Sequence, residues 1–196
     1  FFKSSITGRA MERATLAEYE QFLSTEYPGI DLESELDTAA GNIDRFQVYR
    51  ALLLPLDGWG QLKKWHPEGD VLYHSLQVFE LARDELPYDE EFILAALLHD
   101  TGRGLAPDDH IAAGLDALDG FITRRTAWLI EHHMDAHLIY DRTIGQRALR
   151  RLRASPDFDE LCLLGECDRA GRQPGVDVPD LDEALDYVRD LARQYG

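Results

Sequence analysis

Apolar positions recur along most of this chain at three- and four-residue intervals, the spacing of one helical face, and nowhere alternate long enough for a half-buried strand. The pattern predicts an all-α fold. Thr15 is placed to cap a first helix whose Leu16, Tyr19, Phe22 and Leu23 share a face and which Pro28-Gly29 ends. Asn42 opens a second helix through Phe46, Tyr49 and Leu53, stopping near Pro55, and Asp57-Gly58-Trp59-Gly60 follows as a turn. Residues 1–64 thus read as a helical N-terminal extension to a domain spanning 65–196.

In that domain Asp70 caps a helix from Val71 to about Leu86, with Val71, His74, Val78 and Leu81 on one side. Pro87 interrupts the chain. Asp89 then starts a helix through Phe92, Ile93, Ala96 and Leu97 that ends at His99-Asp100, before Gly102. Further helices are expected at about 108–119, 123–138, 143–154, 157–170 and 180–194, the last opened by Asp180 with Leu181, Leu185, Val188 and Leu191 inward. The short connections between them imply a compact bundle, and no repeat or low-complexity tract interrupts the pattern.

Charge narrows the range of partners. The 196 residues carry a net charge of −17, which argues against extended nucleic acid and against a polybasic membrane adapter. No apolar run approaches the ~20 residues that cross a bilayer. The two cysteines, Cys162 and Cys167, form neither a CxxC pair nor a disulfide framework, so a reducing cytoplasm is the expected compartment. A homo-oligomer is compatible with the sequence but not specified by it.

All seven histidines, at 66, 74, 99, 110, 132, 133 and 137, fall in the middle of the chain. An isolated imidazole is most often a hydrogen-bonded packing residue. His74 and His99, however, lie among apolar neighbours and need partners to offset their desolvation. Asp100 directly follows Leu97-Leu98-His99, where a carboxylate is costly unless it is coordinated or caps the next turn. His66 reads as a turn or pocket-rim residue. His137 follows His133 by four residues, an i,i+4 pair that lacks the glutamate of an HExxH zinc motif, and is assigned no role.

With these residues the chain resembles the HD-domain metal-dependent phosphohydrolases. The likeness rests on His74, on His99-Asp100 within Leu94-Ala95-Ala96-Leu97-Leu98-His99-Asp100-Thr101-Gly102, and on Asp168 within Glu166-Cys167-Asp168-Arg169-Ala170, and it covers about residues 66–172. The lead-in His66-Pro67-Glu68-Gly69-Asp70-Val71 is especially similar to the HD domain attached to some bacterial tRNA nucleotidyltransferases. The resemblance implies an HD-type helical bundle in which His74, His99, Asp100 and Asp168 surround one metal and Asp100 bridges to another. His110 and the pair His132-His133 match the added histidines of members with several metals, and His133 is the favoured ligand of the pair. His132 would join a third metal or orient a neighbouring group.

Many members carry lysine three residues after the dipeptide aspartate, where this chain has Arg103. Arginine keeps the charge and adds a fork for phosphate, but does not readily give up a proton. Arg103 is therefore the expected phosphate contact, with Arg169 and Arg172, and more remotely Arg124 and Arg125, as further candidates. Nitrogen and carboxylate donors without thiolate suit one to three divalent ions, Fe or Mn first by the resemblance, then Ni, Co, Zn or Mg. The expected activity is hydrolysis of a small phosphomonoester or phosphodiester, such as a nucleotide, by a metal-activated water. Asp100 and Arg103 would be catalytic. A mixed-valent diiron oxygenase and a non-catalytic regulatory module use the same residue types and stay open at this point.

Overall fold

The computed structural model describes residues 43–58 and 69–195. The first expected helix, with Thr15, and His66 lie outside the described residues. The described residues from Asp44 onward belong to one unit, which takes in a helix upstream of residue 65.

Asn42, expected to open that helix, lies outside the described residues; Asp44 caps α1 (Arg45–Leu53), its carboxylate accepting the Phe46 N–H at 3.0 Å. Both residue types cap well, and the observed start buries Phe46, Tyr49 and Leu53 together. Asp70 caps α2 (Val71–Glu85) by accepting from the Tyr73 N–H at 2.7 Å, and Asp89 caps α3 (Glu90–Leu98) through the Phe92 N–H at 3.0 Å. Short 3-10 turns at Thr101–Gly104 and Pro107–Asp109 lead into α4 (His110–Leu118). The rest of the unit is α5 (Arg124–Tyr140), α6 (Gln146–Leu152), α7 (Phe158–Ala170) and α8 (Leu181–Tyr195). No strand occurs among the described residues, and no described helix is long and apolar enough to cross a membrane.

Helix α3 is apolar on every side, with Phe92 through Leu98 all buried, as a central helix must be. Helices α2, α5, α7 and α8 pack around it. α8 opens with a reciprocal cap, in which the Glu183 N–H donates to Asp180 and the Asp180 N–H to Glu183, and it buries Leu181, Leu185, Val188 and Leu191.

Arg125 ties together the starts of the helices that carry the site. Its terminal nitrogens donate to both Asp89 oxygens, at 2.6 and 2.8 Å, and its Nε donates to Asp157 at 2.7 Å, linking α5 to the caps of α3 and α7. The residue is committed to this network and is not available to a phosphate. Burial works to raise the Asp89 pKa, but the bonds from Arg125 and from the Phe92 N–H outweigh it and hold the carboxyl below its usual value. A folded pKa below the unfolded value of ~3.9 means that this stabilisation is complete above that value and is lost as pH falls through the folded one. Urea midpoints measured between pH 6 and pH 2 should fall more steeply for the native sequence than for Asp89→Asn. Asp89→Ala should cost about 2 kcal/mol at neutral pH, through the lost cap and charged bonds.

Candidate metal centre

The site lies where the ends and middles of several helices converge. His74 projects from the first turn of α2, His99 caps the C-terminus of α3, and Asp100 follows it at the start of a 3-10 turn. His110 begins α4, His133 sits midway along α5, and Asp168 lies in the last turn of α7. All of these are buried except His110, which is partly exposed.

The donors form two groups, His74–His99–Asp168 and Asp100–His110–His133, and within each the candidate ligand atoms lie within 4.8 Å of one another. His74 Nε2 is 3.1 Å from Asp168 Oδ1. Asp100 Oδ1 is 3.5 Å from His110 Nε2 and 3.8 Å from His133 Nε2, while its Oδ2 is 3.7 Å from His99 Nε2. Asp100 therefore stands between the two groups. The His99 ring makes edge contacts with the rings of His74 and His133, at 5.3 and 5.1 Å.

Main-chain oxygens set the orientation of three of these rings. His74 Nδ1 bonds the Gly171 carbonyl at 2.9 Å, His99 Nδ1 the Ala96 carbonyl at 2.9 Å, and His133 Nδ1 the Ile130 carbonyl at 2.7 Å. A carbonyl only accepts, so Nδ1 carries the proton and Nε2 is the atom turned to the centre; on a neutral ring Nε2 is a lone pair, the form in which imidazole binds a metal, whereas on His74 the neighbouring Asp168 carboxylate favours a proton there. The buried Nε2 atoms of His99, His110 and His133, together with Asp100 Oδ1, have no hydrogen-bond partner in the protein. Each such buried atom costs roughly 1–3 kcal/mol unless something satisfies it. Unsatisfied imidazole nitrogens gathered around two carboxylates fit divalent cations, and the absence of thiolate fits the harder transition metals or Mg.

The electrostatics of His99 agree with this reading. Burial pushes His99 down to about 4, so its ring is neutral at physiological pH. Burial also works to raise Asp100 and Asp168. Around Asp100, His99, Arg103 and His133 outweigh it, and around Asp168 the hydrogen bonds from His137 and His74 do, so both carboxyls stay ionised. His74 is raised because Asp168 outweighs the opposing burial, and His110 is lowered by burial and by Arg103.

The remaining expected site residues fall in different places. Arg103 Nε forms an ion pair with Asp100 Oδ2 at 2.7 Å, without hydrogen-bond geometry, and the side chain is 23% exposed, at the edge of the centre. Arg172 Nη2 donates to Asp168 Oδ1 at 2.9 Å. Arg169 pairs with Asp141 at 3.2 Å and lies over the Tyr140 ring. His132 joins neither group: its Nδ1 bonds Asp135 at 2.9 Å, its ring edge meets Trp128, and it lines a separate cavity of about 230 Å³. Successive helical residues point about 100° apart, so only one of the adjacent pair His132-His133 can face the centre. His137, given no role from sequence, donates from Nε2 to Asp168 Oδ2 at 2.6 Å. The signal that could have found it was its i,i+4 spacing from His133. Compared with known protein families, the chain matches the HD domain over residues 71–172, slightly more than half its length.

Proposed function

The chain belongs to the HD domain family, and from that premise we propose that it is a metal-dependent phosphohydrolase of small phosphate esters. The observation that carries the reading is the pair of donor triads joined through Asp100, with the buried Nε2 atoms of His99, His110 and His133 lacking a hydrogen-bond partner in the protein. His74, His99 and Asp168 would hold one divalent ion, and Asp100, His110 and His133 a second. Ions held in this way supply Lewis acidity toward a phosphoryl oxygen and a water acidified toward a pKa of ~7.

The chain's own residues supply the rest. Asp100 directs its two oxygens toward different imidazoles and holds both halves in register. Arg103 places a permanent cation beside Asp100, and its exposed edge offers terminal N–H groups to a phosphoryl oxygen. Because the guanidinium keeps its proton at neutral pH, Arg103 binds and orients the ester, and the leaving group draws its proton from solvent. Arg172, bonded to Asp168, and Arg169, paired with Asp141, would serve as secondary anion contacts. Local positive charge of this kind lets an anionic substrate enter a protein of net charge −17, since screening silences the distant carboxylates. The substrate class we favour is a nucleotide or related small phosphorylated molecule, handled in a reducing cytoplasm, with Mn or Fe as the ion.

Elemental analysis of protein purified without chelator should find divalent metal bound to the chain. The same preparation, supplemented with Mn(II), should hydrolyse at least one of a nitrophenyl phosphate monoester, a nitrophenyl diester, a nucleoside monophosphate or a 2′,3′-cyclic nucleotide. Metal-replete protein inert toward every ester class would overturn the proposal. Oxygen consumption on a phosphonate by the iron-loaded chain would replace it with the oxygenase reading.

A further inference from the structure

His137 stands one turn beyond His133 on α5, so the two imidazoles leave the same helix face. His133 is directed to Asp100, whereas His137 reaches Asp168, 31 residues away on α7. The two helices come close enough for this contact because Gly165 lies against Ala136: a Cβ at position 165 would sit 2.6 Å from the Ala136 Cβ. A carboxylate unbonded at one oxygen can turn and offer either one. With Oδ2 taken by His137, Oδ1 is the oxygen left beside His74 Nε2. Arg172 bonds that same Oδ1, the oxygen beside His74, whereas His137 holds the other one.

We propose that His137 is a positioning residue for the His74–His99–Asp168 half of the centre. By fixing which Asp168 oxygen faces the imidazoles, it sets the affinity of that half for a divalent cation without ligating the cation itself. Its own nitrogens do not join the set of donor atoms lying within 4.8 Å of one another, which separates positioning from ligation. The inference rests on the proposed metal centre.

Equilibrium dialysis with Mn(II) at fixed pH on the full chain, compared with His137→Ala and His137→Gln, tests it, with thermal melts recorded without added metal. Glutamine keeps an N–H donor at nearly the reach of Nε2. The native chain should bind Mn(II), the alanine variant should weaken one bound ion about 10–100-fold, the scale for loss of a residue that orients a ligand, and glutamine should recover most of that loss. A lowered melting temperature in the alanine variant with unchanged Mn(II) affinity would reduce His137 to a structural role and overturn the inference. Equal loss in alanine and glutamine would make the imidazole itself a ligand and overturn it as well. Failure of the native chain to bind Mn(II) would remove the metal centre and the inference together, an outcome distinct from the other two. Should the alanine variant not fold, His137→Asn, whose amide is too short to reach Oδ2, takes its place with the same readouts.

Discussion

Asp100→Asn should leave the chain folded while removing bound metal and lowering ester hydrolysis by on the order of a thousandfold, beyond the 10–100-fold that loss of an outer partner costs. The substitution preserves shape. It replaces one anionic oxygen by an amide nitrogen, in a position where Oδ1 serves His110 and His133, and Oδ2 serves His99 and Arg103. The loss of the charge facing Arg103 lowers stability, but the new N–H group would donate to an imidazole Nε2 that has no partner in the native chain and offset part of that loss, so the melting temperature without metal should fall only modestly. Metal affinity is therefore lost out of proportion to stability, a result that general misfolding cannot imitate. Metal content and turnover within tenfold of the native chain would count directly against Asp100 as the bridge.

Gly102→Ala should have the largest effect on stability. A Cβ at this position would lie 1.8 Å from the His110 carbonyl oxygen and 2.6 Å from the Gly114 nitrogen, and both are backbone atoms with no rotamer to relieve the overlap. The turn after Asp100 and the first two turns of α4 must then separate. Overpacking of this kind costs roughly 3 kcal/mol, which lowers the melting temperature by about 6–12 °C in a chain of this size. Because α4 begins with His110, the separation also withdraws that imidazole from Asp100, so calorimetric melts and Mn(II) uptake should fail together. Gly114→Ala, which meets the Gly102 nitrogen at 3.2 Å and Thr101 Oγ1 at 3.3 Å, should give a milder form of the same result.

Much of this arrangement could be read from the chain itself. Asp70, Asp89 and Asp180 cap where short polar side chains precede apolar helical faces, because capping is a local event decided within one turn. The choice of Asp44 over Asn42 was beyond such reasoning, since two equally good caps differ only in what the rest of the helix buries. His74, His99, Asp100, His110, His133 and Asp168 were legible as candidates through their placement on apolar helices and through family likeness, and the structure gathers them into two triads. His132 shows the limit of adjacency along the chain, because helical geometry turns it toward Trp128 and Asp135. His137 and Arg125 stayed hidden for a different reason. Their partners, Asp168 on one side and Asp89 and Asp157 on the other, are 31 to 36 residues distant, and only tertiary packing brings them near.

The carbonyl props behind His74, His99 and His133 have an evolutionary corollary. A main-chain oxygen survives a change of side chain at positions 96 and 130, so no substitution there deletes the acceptor that aims the ring, whereas at 171 a Cβ would come within 2.7 Å of Val78 Cγ2 and that prop depends on glycine. Drift can repaint the surroundings of His99 and His133 while their bearing persists. Asp168, steered instead by the side chains of His137 and Arg172, has no such insurance, and lineages that lose those two residues should lose that half of the centre first.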